Sequence, residues 1–291
     1  MDFDGLRAFV AVADQKSFSH AATRLHLTQP AVSKRVAHLE NHLGAKLFDR
    51  IGRTIALTEA GHELYPRAIT ILASVEDSRR AISNLAGDIS GKLSLATSHH
   101  IGLWRMPDVL KEYSRRYPHV SLDLHFMDSE VAHEEILQGN LELGIITLAP
   151  TNHERLRSIP VWKDQLTFVC AIDHPLTNVG QVDIATLADH PAVLPDMSTY
   201  TGRIVKQMFD QKGLKLKTGI STNYLETIKM LITVGLGWSV LPHSMLDASI
   251  SVLKVPDAEI ERTLGVIHHV QRSLSNSGNA MISLLLEQAE F

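Results

Sequence analysis

Apolar residues in the first 45 positions recur at the spacing of short amphipathic helices. The apolar face of a first helix consists of Phe3, Leu6, Phe9, Val10 and Ala13. Ser17 is a suitable N-cap for a second helix. Thr28 is a suitable N-cap for a third helix, which has Pro30 in its first turn. Gly44 can end that third helix in the left-handed conformation. The segment therefore predicts three helices, the last two joined by a tight turn.

The third predicted helix carries a continuous apolar stripe. Its residues, spaced four, three and four positions apart, are Val32, Val36, Leu39 and Leu43. After this helix, residues 46–58 place apolar clusters on both sides of Gly52, which predicts a short β-hairpin. Two helices with a tight turn, followed by a hairpin, are typical of a winged helix-turn-helix that binds DNA.

A single long helix is predicted from its N-cap Thr58 to about Asp88. Along it runs an apolar seam with alternating spacings of four and three, formed by Leu64, Ala68, Ile71, Val75, Ser78, Ile82 and Leu85. A helix of this length with one narrow apolar stripe needs a partner, and a second copy of the chain is the simplest one. Packing of the seam against the chain's own body is the alternative.

Beyond Lys92 the pattern changes to strands that alternate with helices. This alternation predicts an α/β fold with mostly parallel sheets and helices on both faces. Two sets of similar size and order indicate two α/β lobes with a cleft between them. The expected divisions are a winged helix-turn-helix over 1–58, a dimerising linker helix over 59–88 and a two-lobed domain over 89–291, with lobe I at about 91–161 and 268–291 and lobe II at about 162–267.

Charge is divided unevenly along the 291 residues. Residues 1–60 carry eight Lys or Arg and six Asp or Glu, a net charge of +2, whereas the whole chain has −4. A mildly basic head on an acidic body fits a chain whose head alone meets phosphate. The single cysteine, Cys170, excludes an internal disulfide. Since neither a signal peptide nor an apolar run of about 20 residues is found, a cytoplasmic protein with no membrane partner is expected.

Polar residues at the start of the third helix lie opposite its apolar stripe. The residues of this region are Thr28, Gln29, Pro30, Ser33 and Lys34. Gln can pair with adenine, Ser with either edge of a base pair, and Lys with guanine or phosphate. Arg35 is better placed for a phosphate. The hairpin residues that can reach the minor groove or the DNA backbone are Arg50, Arg53 and Thr54. The alternative is an ordinary solvated helix face.

Five short motifs in the first 61 residues occur together in one known family. They are S-F-S-x-A-A at 17–22, T-Q-P-A-V-S at 28–33, L-E-x-x-L-G at 39–44, L-F-x-R at 47–50 and L-T-E-A-G at 57–61. In this order they make the segment resemble the DNA-binding domain of LysR-type transcription regulators, and the resemblance continues more weakly through the rest of the chain. It implies a minor-groove contact for Arg53. The residues for which it implies base contacts are Gln29, Pro30, Ser33 and Lys34.

The same resemblance implies a long linker helix and two lobes similar to periplasmic solute-binding proteins. A regulator of this kind is expected to bind an inverted repeat of double-stranded promoter DNA as a homodimer or homotetramer, with RNA polymerase as a further candidate partner. Its activity would be controlled by a small-molecule effector, expected to be anionic, in the domain over 89–291. No cofactor and no metal is expected.

Polar residues that follow three predicted strands are the candidates for the effector site, because ligands of open α/β sheets bind at the carboxyl ends of strands. They are Ser98, His99, His100, Ser129, Tyr200 and Thr201. Hydroxyl groups and N–H groups at a helix start suit an anion, and a protonated histidine would add positive charge. The family resemblance implies effector contacts for Ser98, His100, Ser129 and Thr201. The alternative is that the hydroxyl residues only cap helices.

The acidic residues Asp128 and Glu130 are interpreted as a solvated helix start, since acids favour a helix N-terminus. The sequence contains no HExxH, P-loop, GxGxxG or GxSxG motif. The leading hypothesis is therefore a ligand-responsive DNA-binding regulator that is not an enzyme. The alternatives are a solute-binding or enzymatic α/β domain with an accessory DNA-binding head, and a DNA-architectural protein whose sensor binds nothing.

Overall fold

The computed structural model describes residues 2–51, 54–85, 87–256 and 258–289, in two compact units that divide near residue 85. The elements of the first unit are α1 (Phe3–Gln15), α2 (Phe18–Arg24), α3 (Gln29–Leu43), β1 (Phe48–Ile51), β2 (Thr54–Leu57) and α4 (Glu59–Asn84). Ser17, Thr28 and Thr58 are N-caps as predicted. Each hydroxyl accepts a hydrogen bond from a backbone N–H three residues later. The winged helix-turn-helix is thus confirmed.

The core of the first unit lies between α1, α2 and α3. Its fully or almost fully buried side chains include Leu6, Phe9, Val32, Val36 and Leu39. Leu43 is the exception to the predicted stripe, because it is the last residue of α3 and 41% of its surface is exposed. The chain turns away directly after it, where Gly44 adopts the predicted left-handed conformation with φ of 65°.

The apolar seam of α4 is divided between two environments. Its first part packs against the chain's own core, with Ala68 fully buried and Leu64 and Ile71 beside it. Its last part faces solvent, since Ile82 is 70% and Leu85 is 86% exposed. Packing against the chain's own core therefore accounts for the part of the seam near the head, whereas pairing of the exposed part with a second copy stays a prediction.

The second unit, over its described residues, contains one sheet of nine strands with helices around it. Its elements are β3 (Gly91–Thr97), α5 (His99–Trp104), α6 (Met106–Arg116), β4 (Val120–Phe126), α7 (Ser129–Gln138), β5 (Leu143–Thr147), β6 (Leu156–Ala171), α8 (Ile184–Asp189), β7 (Ala192–Leu194), α9 (Tyr200–Gln211), β8 (Thr218–Ser221), α10 (Leu225–Thr233), β9 (Trp238–Pro242), β10 (Ile250–Val252), β11 (Ile260–His269) and α11 (Asn276–Glu287). In the described ranges of the chain, no helix is long and apolar enough to cross a membrane.

The sheet is mixed, with strand order β4-β3-β5-β11-β6-β9-β7-β8 and β10 paired with β6. The outer groups are parallel, β3 with β4 and β5, and β7 with β8 and β9. The expectation of mostly parallel sheets is wrong at the centre, where β6 and β11 run antiparallel to their neighbours. The reason is connectivity, since β6 carries the chain out of one lobe and β11 carries it back.

Two separate cores define the two lobes. The first includes Trp162 and Leu264, and the second includes Leu166 and Ile260. Strand β6 therefore passes between the lobes at 162–166, and β11 passes back at 260–264, next to a register shift between Leu264 and Gly265. From the sequence, the chain was expected to return to lobe I at about residue 268. In the structure, Leu264 already packs in the first core, a few residues before that position.

Substitution of Gly61 should destabilise the first unit. Gly61 lies in the first turn of α4, and a β-carbon there would come within 2.2 Å of the backbone oxygen of Leu47. Because neither backbone segment can move freely, we expect Gly61→Ala to cost about 1–3 kcal/mol. Hydrogen–deuterium exchange should show faster exchange in α1–α3. The matched control is Gly180→Ala, where an added β-carbon meets nothing within 4 Å, and unchanged exchange in Gly61→Ala would contradict the prediction.

Candidate functional site

The start of α3 presents its polar residues to solvent. Gln29, Pro30 and Lys34 are exposed, and Ser33 is half-buried. The side-chain amide of Gln29 donates a 2.9 Å hydrogen bond to the Ser33 hydroxyl one turn later, which ties two of the predicted base-contacting residues together. The hydroxyl of Thr28 accepts from the backbone N–H of Ala31. The predicted DNA-binding residues of this helix thus share one accessible face.

Two charged residues of α3 connect it to its surroundings. Arg35 forms a 2.9 Å ion pair with Asp4 of α1, so its guanidinium group is already engaged within the chain. Glu40 is buried and accepts hydrogen bonds from Lys46 Nζ at 2.7 Å and from the backbone N–H of Leu47 at 2.9 Å. Glu40 therefore holds the end of α3 against the segment that leads into β1.

The wing is a two-stranded antiparallel hairpin of β1 and β2. Arg53, predicted to reach the minor groove, lies outside the described residues, as do the side chains of Arg50 and Thr54. The proposed DNA contacts of the wing therefore stay predictions.

The candidate effector site is a cavity of about 60 Å³ in the cleft between the lobes. On the same measure one water needs about 10–15 Å³, so the space holds a few water-sized groups. All six predicted effector residues line it, namely Ser98, His99, His100, Ser129, Tyr200 and Thr201. The lining residues other than these six are Asp128, Glu130, Thr147, Pro195, Thr199, Asn223, Leu225 and Arg262.

None of the three predicted Ser and Thr hydroxyls at this cavity makes a helix-capping hydrogen bond. Ser98 occupies the N-cap position of α5 without such a bond. The Ser129 hydroxyl instead accepts from the backbone N–H of Thr147 at 3.1 Å. Thr201 lies inside α9, because Thr199 is the residue that caps this helix. The alternative of simple capping therefore explains none of these side chains.

Arg262 is the central cation among the described residues of the cavity lining, and no motif in the sequence pointed to it. Its Nε donates to Asp164 Oδ2 at 2.7 Å, and a terminal nitrogen donates to the Thr201 hydroxyl at 2.9 Å. The Arg262 and Asp164 side chains are only 8% and 3% exposed. The signal in the sequence was an arginine at the start of an apolar strand. Its partner Asp164 lies 98 residues away, so no local pattern connects the two residues.

His100 lies beside this arginine and is 5% exposed. Neither of its ring nitrogens has a hydrogen-bond partner among the described residues. Burial, helped by the charges of Arg262 and Arg105, lowers the pKa of His100 to about 3. The imidazole is therefore neutral at pH 7 and offers one donor and one acceptor. The expectation that a protonated histidine attracts the effector is wrong for His100.

Contacts between aromatic and polar side chains join the lobes at the rim of the cavity. The His99 ring packs edge-on against Tyr224 of lobe II, with ring centroids 4.6 Å apart. The indole N–H of Trp104 in α5 donates to Glu226 in α10 at 2.9 Å. The cleft in this structure is therefore closed.

Comparison with known proteins assigns both units to one family. The family model described as "Bacterial regulatory helix-turn-helix protein, lysR family" matches residues 3–62, and the "LysR substrate binding domain" model matches residues 86–290. The chain belongs to the LysR family of transcriptional regulators. The helix-turn-helix match contains α3 and the wing, and the substrate-binding match contains the whole cleft.

Individual LysR-family relatives agree with this assignment. An uncharacterised HTH-type regulator of Azotobacter vinelandii is 64% identical over 107 residues, 37% of this chain and 74% of the relative. The uncharacterised regulator YfeR of Shigella flexneri is 29% identical, covering 97% of this chain and 92% of its own. A full-length cysteine-to-aspartate variant of OxyR from Pseudomonas aeruginosa shares the fold with a TM-score of 0.71, at 24% identity, over 99% of this chain and 94% of its own.

Replacement of His100 by Asn should change how the stability of this LysR-family chain depends on pH. The folded pKa of about 3 lies below the ordinary value of 6.5, so the unfolded state binds a proton that the folded state does not. Stability is therefore lost as pH falls below about 6.5, by about 2 kcal/mol at pH 5. His100→Asn should remove this loss.

Urea unfolding at pH 7.5 and pH 5.0 measures the effect. Tryptophan fluorescence follows the second unit alone, because its residues Trp104, Trp162 and Trp238 are the only tryptophans of the chain. His119→Asn, at an exposed position, is the matched control. An equal loss of stability at pH 5.0 in the wild type and His100→Asn would contradict the assigned pKa shift.

Proposed function

We propose that this chain is a sequence-specific DNA-binding regulator, not an enzyme, whose activity is controlled by a small molecule with an acidic group bound between the lobes. His100 is the observation that carries the effector half of the proposal. A buried polar group without a partner costs about 1–3 kcal/mol, so a ligand that bonds to both ring nitrogens recovers that free energy. A side chain needed only for packing would not require an imidazole in this position.

The groups beside His100 favour an acidic group such as a carboxylate or a sulfate. Arg262 uses two N–H groups on Asp164 and Thr201, and a guanidinium group has further donors in the same plane. The Ser98 hydroxyl makes no capping bond and is available as a donor. The proposed effector contacts are Ser98, His99, His100, Ser129, Tyr200 and Thr201, to which we add Arg262.

The DNA half of the proposal rests on the exposed face of α3. The proposed contacts of this helix are Thr28, Gln29, Pro30, Ser33, Lys34 and Arg35, with Arg50, Arg53 and Thr54 in the wing. Arg35 would have to exchange its ion pair with Asp4 for a phosphate. The proposed DNA site is an inverted repeat at a promoter in the cytoplasm, and RNA polymerase stays a candidate partner.

A second copy of the chain is the proposed partner of α4. The exposed side chains of Ile82 and Leu85 fit a homodimer or homotetramer in which linker helices pair beyond the head. We propose the division into a head over 1–58, a linker over 59–88 and an effector domain over 89–291. Effector binding would change how far the two lobes close and thereby the angle between the paired linker helices. Identical small-angle scattering profiles with and without an effector would contradict this mechanism.

Variants of α3 test the DNA half. Gln29→Ala should weaken binding to the operator by about 1–3 kcal/mol and relax base preference, with little effect on random DNA. Lys34→Ala should weaken binding to both DNAs. It should also reduce the slope of log affinity against log salt concentration by about one, because one phosphate contact is lost. Footprinting and fluorescence anisotropy on DNA upstream of the chain's own gene measure both effects.

Asn41→Ala is the matched control for these variants, since Asn41 is exposed near the other end of α3. It should bind both DNAs like the wild type. Equal losses on operator and random DNA for Gln29→Ala and Lys34→Ala would contradict the distinction between base and phosphate contacts. Selection from random sequences supplies the operator if that upstream DNA shows no protection.

A further inference from the structure

Two carboxylates of lobe I face the cavity from the start of α7. A Glu130 carboxylate oxygen accepts a hydrogen bond from the backbone N–H of Tyr200, at the start of α9 in lobe II. Asp128 Oδ2 accepts from the Asn223 side chain at 2.6 Å, also across the cleft. Both acidic residues line the cavity. The prediction that this pair marks a helix start is confirmed, since Asp128 is the N-cap of α7 and Glu130 lies in its first turn. The expectation that the pair is solvated is wrong, because both residues are half-buried beneath lobe II.

The charges of the residues that line the cavity do not balance. Arg262 is neutralised by its buried ion pair with Asp164, and His100 is neutral. Asp128 and Glu130 then leave the lining with an excess of negative charge. Two cations lie near the cavity but outside its lining: Arg105, whose charge acts on His100, and Arg203, which is exposed and donates to the backbone oxygen of Ser198. A ligand that carried only negative charge would meet two carboxylates in the lining, where the one cation among the described lining residues, Arg262, is already paired with Asp164.

The Glu130 carboxyl is partly removed from water at this position. Its carboxyl is half-buried, and burial, together with the negative charge of Asp128, raises its pKa above the ordinary value. The hydrogen bond from Tyr200 and the charge of Arg203 only partly oppose that effect. A cationic group placed against both carboxylates would supply the missing compensation.

The rest of the lining has the opposite character. His100 is almost fully buried, and both of its ring nitrogens lack partners in the described part of the chain. Arg262 and the Thr201 hydroxyl lie in the same lining, and the cavity measures about 60 Å³. Negatively charged hydrogen-bond acceptors and the donors of the lining therefore face one cavity that has room for only a few heavy atoms of a ligand.

We propose that the effector is a small zwitterion of the size of an α-amino acid, with its ammonium group held by Asp128 and Glu130 and its acidic group held by Arg262, Thr201 and His100. This inference rests on the proposed effector function of the cleft and adds a second, cationic group to the ligand. Ammonium groups donate three hydrogen bonds, which matches the carboxylate oxygens of the two acidic residues. The site then selects ligands by charge separation as well as by size.

Matched pairs of probes test the proposal. L-Alanine and L-lactate, L-serine and L-glycerate, and L-aspartate and L-malate keep the same acid and differ by an ammonium or a hydroxyl group. The readout is tryptophan emission of the full chain during titration, because Trp104 bonds to Glu226 across the cleft. At least one amino acid should bind about 10-fold or more tightly than its hydroxy acid.

Neutral variants of the two acidic residues sharpen the test. Asp128→Asn and Glu130→Gln keep an oxygen that can accept from Asn223 and Tyr200 but lose the charge. Each should weaken binding of the amino acid by about 10-fold and improve binding of the paired hydroxy acid. Glu134→Gln is the matched control, since it removes one charge from an exposed position of α7 outside the cavity.

Three results would overturn the inference. Equal or tighter binding of the hydroxy acids would show a purely anionic ligand and leave Asp128 and Glu130 as contacts that only hold the lobes together. Equal responses of Glu130→Gln and Glu134→Gln would exclude a specific role for the carboxylate. Absence of binding by every pair would exclude this ligand class.

The proposed function fails separately. If hydroxy acids bind but Arg262→Lys leaves their affinity unchanged, the acidic-group site at Arg262 is wrong, whatever the ammonium group does. If Gln29→Ala and Asn41→Ala bind operator DNA equally, the DNA half is wrong, whatever binds in the cleft.

Discussion

The effector-binding unit depends on the buried ion pair between Arg262 and Asp164. The two residues face each other in β11 and β6, the adjacent antiparallel strands that carry the chain between the lobes. Removal of one partner from a buried pair leaves an uncompensated charge and costs about 3–5 kcal/mol. Because the pair lies where both strands pass from one core to the other, it fixes the position of the cavity lining relative to both lobes.

The same pair organises the chemistry around it. Arg262 orients the Thr201 hydroxyl, and its charge, after burial, helps to keep His100 neutral. The donors in the cavity therefore carry little free charge, and Asp128 and Glu130 contribute the remaining charge of the lining. In this LysR-family chain the closed cleft is held by hydrogen bonds from lobe II to those carboxylates, which are the same groups that we propose as the ammonium site.

The DNA-binding unit depends on a different requirement, namely that the long apolar seam of α4 be buried. The first turns of α4 complete the core of the head through Ala68 and its neighbours, whereas Ile82 and Leu85 are left exposed. One helix thus contributes to the stability of the head and also leaves an apolar surface exposed, which we propose pairs with a second copy. Communication between effector and DNA, in the function proposed above, requires this helix to serve both purposes.

Local signals in the sequence determined the helices and much of the site. The N-caps at Ser17, Thr28 and Thr58 were predictable because capping acts over three residues. The six candidate residues of the cleft were predictable as cavity lining because carboxyl ends of parallel strands meet at one edge of a sheet. Tertiary structure alone decided that Arg262 meets Asp164, that His100 is neutral and that β6 and β11 are antiparallel. Each of these depends on burial or on residues far apart in the chain, which no local pattern records.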